Sequence, residues 1–352
     1  MPSLYVTEQG ATLRQSGMSL HVTLDTESGS ARPLHPVRSV LLGVESHQLE
    51  MIGLVGRSHI TANALHLCLE QGISVAWFAW NGRFLGRLTP PVPRSGDLRL
   101  LQYRMAVDDG RALNMARSVV AGKCANARAI LRGIQANQAG LDQVAVSMRE
   151  IGEAEVRIPA CRDAEHLLGI EGQAARAYFS ALGAGFRGEI QFTGRNRRPP
   201  PDPANALLSF GYVLLCNLIG GVLEARGLDP AMGFFHAPRS GRAALALDLL
   251  EEFRHPVVDR FVLRVANLRM IRPEMFEPDP EENGGIRLTR EGLKIFFRAW
   301  GEHLERTLPE VESESDEETG KASPASLIRR QVDRLVVAIR TDAEYRPFLL
   351  RS

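Results

Sequence analysis

Residues 233–254, GFFHAPRSGRAALALDLLEEFR, bring several side chains that can bind a metal ion into one short apolar segment. Asp248 interrupts a run of alanines and leucines, and a carboxylate in such surroundings is costly unless it is paired or bound to a cation. Glu251 follows three residues later, so both acids share one face of the predicted helix. His236 precedes that helix, in a loop. The pattern predicts a metal site at a helix start, although a helix with a polar stripe and a capping histidine remains the alternative.

A second acidic candidate is Glu171, in the segment HLLGIEGQAARAYFSAL. The residues around it on the predicted helix are small, including Gly172, Ala174 and Ala175. Small side chains allow another helix to approach closely. Glu171 is therefore a candidate for a site between helices, and an ordinary surface glutamate near a helix start is the alternative.

A basic cluster lies in FTGRNRRPPPDPANALLSFGY, residues 192–212. Arg195, Arg197 and Arg198 are followed by a proline run that should stay extended and exposed. Arginines on an exposed loop suit contacts to phosphate groups. The segment is a candidate phosphate-binding loop, with Arg195, Arg197 and Arg198 as the contacts, and a solvated loop without a ligand is the alternative.

The predicted strands and helices that must position these residues indicate an α+β fold. Residues 1–88 read as a β-rich domain, with strands at 4–7, 18–24, 37–44, 51–55 and 73–78 and a hairpin at Asn81-Gly82. Residues 89–97 contain three prolines and a glycine and read as a linker. Residues 98–352 read as an α-helical catalytic domain with an acidic, flexible loop at 309–324. Its predicted helices span 98–138, 164–182, 203–226, 241–253, 290–307 and 325–340.

The charge and the cysteine content favour a cytoplasmic protein with a polyanionic partner. The chain has 42 basic and 41 acidic residues, and six of the acids lie within 310–318, so the rest is moderately basic, as suits a polyanionic partner. The four cysteines are far apart, which argues against a structural zinc site and a disulfide framework and favours a cytoplasmic protein. Residues 206–223 carry no charge, and we interpret them as a buried helix rather than a membrane span.

Taken together, three stretches resemble the CRISPR-associated Cas1 family. They are E-G-x-A-A-R-x-Y at 171–178, the long motif at 192–212, and H-…-R-x-x-L-A-L-D-L-x-E-E-F-R at 236–254. They occur in the family's order, and the resemblance covers nearly the whole chain, including L-T-x-x-G-x-K at 288–294. The residues within these motifs are most similar to those of the type I-C branch of the family.

The resemblance implies roles for individual residues. Glu171, His236 and Glu251 match the family's metal-ligand positions, and Asp248 matches its nearby supporting acid among the catalytic residues. Two carboxylates and an imidazole without a thiolate suit Mg²⁺ or Mn²⁺. The positions that match supporting or DNA-contacting residues are Asn205, Arg239 and Arg242.

The implied function is that of a metal-dependent DNA endonuclease and integrase. Such a protein inserts spacers into a CRISPR array by transesterification, as part of antiviral adaptive immunity. The resemblance also implies a homodimer formed through the β-rich domain, double-stranded DNA as prespacer and repeat, a heterohexamer with Cas2, and the Cas4 nuclease as a further partner. A metal-dependent repair nuclease and a catalytically silent DNA-binding scaffold stay open as alternatives.

Overall fold

The computed structural model describes residues 3–26, 37–80, 82–90, 95–137, 142–196, 198–280, 283–307 and 322–350. These residues form two compact units, one within Met1–Val92 and Leu288–Glu305 and the other within Pro93–Arg287 and Arg306–Ser352. Strands dominate the beginning of the chain and helices the remainder, which confirms the α+β class. The predicted acidic loop at 309–324 lies, apart from its last three residues, outside the described residues.

The first sheet of the N-terminal unit is mostly parallel. It contains β1 (Ser3–Val6), β5 (Met51–Val55), β7 (Ser74–Phe78) and β8 (Phe84–Leu88), in the order β1-β5-β7-β8. The first three strands are parallel, and β8 returns antiparallel to β7 as the hairpin predicted from Asn81-Gly82. All five residues of β5 are buried, as expected for a central parallel strand.

The second sheet lies in sequence between β1 and β5, apart from its last strand. It contains β2 (Thr12–Ser16), β3 (Ser19–Thr26), β4 (Val37–Glu45) and β6 (His59–Ile60), in the order β4-β3-β2-β6. Helix α1 (Ala62–Glu70) follows and is capped by Thr61, whose side chain accepts from the Ala64 N–H. The shared apolar core includes Leu13, Leu20, Ile52, Leu54 and Ile73.

Helix α9 (Arg290–Glu305) belongs to this first unit, whereas its place in the sequence predicts that it joins the helical domain 98–352. Its amphipathic pattern explains the difference, because its apolar face packs against β1. The rings of Tyr5 and Phe297 lie 4.7 Å apart, and the Lys294 ammonium is 2.6 Å from the Glu8 carboxylate. Helical periodicity alone did not indicate which unit the helix would join.

The second unit is built around helices. They are α2 (Gly96–Val107), α3 (Asp109–Ala136), α4 (Asp142–Arg157), α5 (Ala164–Leu182), α6 (Pro203–Ala225), α7 (Ala244–Phe253), α8 (Arg260–Asn267) and α10 (Pro324–Thr341). A π-helical turn, Arg254–Asp259, joins α7 to α8. The short strands β9 (Phe276–Pro278) and β10 (Ile286–Leu288) pair with each other.

Helix α3 is the centre of the helical unit, because α4, α5 and α7 all pack against it. The predicted helix 98–138 is divided at Asp108, which adopts an extended conformation and caps α3 by accepting from the Arg111 N–H at 3.0 Å. Helices α5 and α6 begin in the same way, at Asp163 and Asp202. These caps fix where the helices that carry the site begin.

Helix α6 is the one helix in the described part of the chain that is long and apolar enough to cross a membrane. Half of its most apolar window is buried inside the protein, and it packs against α7, α8 and α10. A core helix of a folded domain has these properties, and the prediction for residues 206–223 was such a helix.

The C-terminal segment returns to the middle of α3. Asn126, buried on α3, donates to the carbonyl oxygens of Glu252 and Phe348, both at 2.8 Å, and accepts from the Leu350 N–H at 2.7 Å. The Glu252 carboxyl group accepts from the Phe348 N–H at 2.9 Å and the Tyr345 hydroxyl at 2.7 Å. The segment therefore ties α3 to α7.

Candidate active site

The candidate residues come from two helices and one loop of the helical unit. Glu171 lies on α5, Asp248 and Glu251 lie one turn apart on α7, and His236 lies in the loop before α7. Both α5 and α7 pack against α3. The fold thus brings together side chains that are far apart in sequence.

Asp248 is buried and holds the loop that carries His236. Its Oδ2 accepts from the backbone N–H groups of Phe234 at 2.6 Å and Phe235 at 3.0 Å, and its Oδ1 accepts from that of His236 at 2.8 Å. Gly233 makes this approach possible, because a Cβ there would lie 2.7 Å from Asp248 Oδ2. The carboxylate in the apolar run is therefore satisfied by hydrogen bonds within the protein.

The same carboxylate orients the His236 ring. Nδ1 of His236 is 2.8 Å from Asp248 Oδ1, an oxygen that also accepts from the His236 backbone. Because the carboxylate is the acceptor, Nδ1 carries the proton of this hydrogen bond, and Nε2 is the ring nitrogen that Asp248 does not contact. The His236 side chain is 17% exposed and that of Asp248 1%. Asp248 therefore orients an imidazole that can act as a metal ligand through Nε2.

Glu171 and Glu251 converge on the ammonium of Lys123, a residue of α3 that the sequence analysis did not select. Lys123 Nζ is 2.6 Å from Glu251 Oε2 and is in direct contact with Glu171 Oε1. The Lys123 side chain is 3% exposed, against 15% for Glu171 and 8% for Glu251. Two carboxylates from different helices thus share one cation.

Arg254 is the second cation on Glu251. Its Nη1 donates to both carboxylate oxygens, at 3.1 and 2.9 Å. Burial would raise the pKa of Glu251, but the charges of Arg254 and Lys123 outweigh it and hold that pKa well below its usual range. Burial also disfavours the charged form of Arg254, which by itself would lower its pKa. The charge of Glu251 outweighs this effect, so the pKa of Arg254 lies well above its usual value.

The π-helical turn fixes Arg254 in place. The guanidinium carbon lies 4.5 Å from the centre of the Tyr212 ring, a cation–π arrangement. Asp259, at the end of the turn, accepts from the hydroxyls of Tyr178 at 2.7 Å and Tyr212 at 2.5 Å, and its Oδ2 is 2.7 Å from His255 Nδ1. This buried network joins α5, α6 and the turn after α7, and π-turns commonly occur at functional sites.

The donor chemistry fits a hard divalent cation, although a metal cluster is not preformed. Within the described ranges, no three His, Cys, Asp or Glu side chains are arranged so that they could hold an ion. What the structure does show is the cation position between Glu171 and Glu251, and Asp248, one helical turn before Glu251, in contact with His236. Oxygen and imidazole donors of this kind suit Mg²⁺ or Mn²⁺.

The basic loop before α6 is anchored by its own residues. The Arg195 guanidinium donates to Asn205 Oδ1 at 2.8 Å and to Ser209 Oγ at 3.0 Å. Asn205 is buried and also donates to the Gly194 carbonyl oxygen at 2.8 Å. Arg198 is exposed. Arg197, the third arginine predicted to bind DNA, lies outside the described residues.

The other two predicted DNA-contacting residues lie in the loop between His236 and α7. Arg239 is exposed and Arg242 is half-buried, and the Arg242 N–H donates to the Arg239 carbonyl oxygen at 3.0 Å. Gly241 adopts a positive φ of 72° between them, which closes this turn. The turn presents Arg239 to solvent on the chain that follows the candidate ligand His236.

Comparison with known proteins identifies the family. The family model of CRISPR associated protein Cas1 matches residues 4–302. "CRISPR-associated endonuclease Cas1 2" of Rhodospirillum rubrum is 36% identical over 85% of both chains, and "CRISPR-associated endonuclease Cas1 1" of Chlorobaculum tepidum is 33% identical over 99% of this chain and 98% of its own. A Cas4/Cas1 fusion of Geobacter sulfurreducens is 36% identical over 74% of this chain and 47% of the fusion.

Solved structures share the fold. A Cas1 protein from Thermotoga maritima superposes with a TM-score of 0.75 at 25% identity, with 97% of both chains covered. A casposase bound to its integration product gives 0.79 at 20% identity, with 99% of this chain and 93% of its own covered. A Cas6-RT-Cas1–Cas2 complex gives 0.75 at 22% identity over 98% of this chain and 36% of that one. Because the family model matches residues 4–302 of this chain and a relative named Cas1 is 36% identical to it, the chain belongs to the Cas1 family of CRISPR-associated proteins.

Proposed function

We propose that this protein is a metal-dependent DNA endonuclease and integrase that joins prespacer DNA to a CRISPR repeat. The observation that carries the proposal is the convergence of Glu171 and Glu251 on one cation position, together with an imidazole oriented by Asp248, which lies one helical turn before Glu251. The naming of close relatives as endonucleases and the casposase fold with its integration product support the same chemistry.

In this proposal Glu171, Glu251 and the Nε2 atom of His236 hold Mg²⁺ or Mn²⁺. The chemistry such an ion supplies is charge stabilisation at the scissile phosphate and at the leaving 3′ oxygen. Asp248 keeps the imidazole aligned through its hydrogen bond with Nδ1, and Arg254 fixes the Glu251 carboxylate.

The attacking group in integration is the 3′ hydroxyl of the incoming DNA. With water in its place, the same site cuts DNA. A protein nucleophile is not needed for either reaction. In joining, the 3′ hydroxyl forms a new phosphodiester bond as one in the repeat breaks and releases a 3′ oxygen; in cutting, water attacks the phosphate and leaves a phosphomonoester and a free hydroxyl. Arg198, Arg239 and Arg242 contribute contacts to phosphate groups, which position DNA without reading its sequence.

The proposed partners follow from the relatives. The fusion in Geobacter sulfurreducens supports a link to Cas4, and the Cas1–Cas2 complex among the structural neighbours supports an assembly with Cas2. We extend the proposal to a homodimer formed through the β-rich unit, to double-stranded DNA as substrate, to the type I-C branch and to a cytoplasmic location.

The test compares Glu171→Ala and His236→Ala with the parent protein in strand transfer and in DNA binding. Transfer should fall by more than about 100-fold, because losing a residue that only supports a metal ligand already costs about 10–100-fold. Duplex affinity should change little, because the contacts to phosphate groups remain. Glu165→Ala is the matched control, since Glu165 is an exposed glutamate at the start of the same helix.

Transfer at the parental rate by either variant would refute the proposed site. Loss of transfer together with loss of duplex binding would instead favour the scaffold alternative, in which these residues support a DNA surface. A parent protein that cuts free DNA but does not join it to a repeat would favour the repair nuclease.

A further inference from the structure

Lys123 occupies the position between the two carboxylates that the proposed function assigns to a metal ion. Its ammonium contacts Glu171 and lies 2.6 Å from Glu251, and its side chain is almost fully buried. An ammonium and a divalent cation compete for the same oxygen atoms, so both cannot hold this position at once.

Two cations already occupy the carboxylate oxygens without a metal. Lys123 contacts Glu171 and Glu251, and Arg254 binds both oxygens of Glu251, while the buried Asp259 adds a further negative charge near Arg254. A divalent ion that entered beside both cations would share these oxygen atoms with them and would be repelled by both positive charges at short range. One of the two cations must therefore leave the carboxylates when the ion enters.

The two cations differ in how firmly they are held. Arg254 binds both oxygens of Glu251 and lies on the Tyr212 ring, so its planar group is fixed on two sides. Lys123 ends in a single point charge on a flexible stem with four carbons, which can turn away without disturbing the helix. Lys123 is therefore the cation that moves.

We propose that Lys123 is a tethered cation that holds Glu171 and Glu251 together in the metal-free protein and is displaced when the divalent ion binds. This inference rests on the proposed function. Lys123 thus prevents the two carboxylates from repelling each other before loading, and it weakens metal binding by the free energy of the contacts that it loses.

The experiment titrates the full-length protein with Mn²⁺ and follows the free ion by its electron paramagnetic resonance signal, which does not depend on activity. Lys123→Gln removes the charge and keeps a hydrogen-bond donor for one carboxylate. We expect it to bind Mn²⁺ at least tenfold more tightly than the parent. Lys294→Gln is the matched control, since Lys294 pairs with a glutamate in the other unit, and it should titrate like the parent.

Lys123→Arg keeps the proposal testable if the glutamine variant does not fold. Arginine retains the charge and can bind carboxylates with two parallel hydrogen bonds, so it should be harder to displace. We expect about tenfold weaker Mn²⁺ binding than in the parent. Equal or weaker Mn²⁺ binding by Lys123→Gln, or parental binding by Lys123→Arg, would overturn the inference.

Glu251→Gln separates this inference from the proposed function. If the parent binds Mn²⁺ and Glu251→Gln does not, the metal site stands, and only the comparison of Lys123 variants decides the inference. The other outcome is that the parent and Lys123→Gln both bind Mn²⁺ no more tightly than Glu251→Gln does. Glu251 would then not be a metal ligand, and both the inference and the metal assignment would fail.

Discussion

The two ends of the candidate site are held by different kinds of partner. At the His236 end, Asp248 accepts from three backbone N–H groups and from the ring, so main-chain hydrogen bonds fix it. At the Glu171 end, side-chain charges hold the carboxylates, and one of these charges sits on a flexible lysine. The difference indicates a rigid anchor for the imidazole and an exchangeable cation position for the carboxylates.

The largest expected effect comes from breaking the rigid end with Asp248→Ala. Three backbone donors and the imidazole would lose their acceptor, and each buried donor left without a partner costs about 1–3 kcal/mol. We expect the free energy of unfolding to fall by about 3 kcal/mol or more, and strand transfer to be lost. Urea unfolding and a strand-transfer assay measure the two effects.

Two further variants sharpen this comparison. Asp248→Asn keeps one acceptor oxygen and should retain more stability, with transfer lowered by about 10–100-fold, as for other residues that orient a ligand. Glu171→Ala should cost less stability than Asp248→Ala, because Lys123 keeps Glu251 as a partner. Equal losses of stability at the two ends would contradict the contrast between them.

A smaller effect is expected from Glu252, which adjoins Glu251 on α7 and accepts hydrogen bonds from neutral groups. Burial raises its pKa to about 8, against the lowering effects of its hydrogen bonds from Phe348, Tyr345 and Gln331 and of the charge of Arg334. The folded protein therefore binds the proton of the Glu252 carboxyl group more tightly than the unfolded chain does. Its contribution to the free energy of unfolding is fully present below about pH 4.5 and is lost as the pH rises towards 8.

Glu252→Gln should remove that decline. We expect the variant to be about as stable as the parent at low pH and more stable than the parent near pH 8, because the amide needs no ionisation. Urea unfolding at about pH 5 and pH 8 checks this expectation. A parent whose stability rose over this range in step with the variant would show that Glu252 ionises freely in the fold.

The smallest effect concerns the basic loop, where the structure separates an anchored arginine from an exposed one. Arg198→Ala should lower the slope of log affinity against log salt concentration by about one unit, since one phosphate contact is lost. Arg195→Ala should leave that slope unchanged, because its guanidinium is used by Asn205 and Ser209. Filter binding of unrelated duplexes at several salt concentrations measures both, and a flattened slope for Arg195→Ala alone would reverse the assignment.

Much of the fold follows from local patterns. The α5 boundaries were predicted at 164–182, since Asp163 caps the start and the apolar residues repeat at helical spacing. Helix α4 was missed although Val144, Ser147, Ile151 and Ala154 repeat with the same period. The parallel order of β1, β5 and β7 depends on pairings between distant strands, which no local pattern encodes.

The site shows the same limit. Asp248 was conspicuous because a carboxylate in an apolar run must have a partner. Lys123 also lies on an apolar helix face, between Val119, Val120 and Ala127, and the same reasoning would have marked it as a buried charge. Its pairing with Glu171, 48 residues away, is set by how α3 packs against α5 and is not readable from spacing.

The most direct test of the metal site is diffraction from crystals of the full-length protein grown with Mn²⁺, with data collected at the manganese absorption edge. We predict an anomalous peak contacted by Glu171, Glu251 and His236 Nε2, with the Lys123 ammonium no longer between the carboxylates. Carboxylates still bridged by Lys123, with manganese absent or bound elsewhere, would contradict the account.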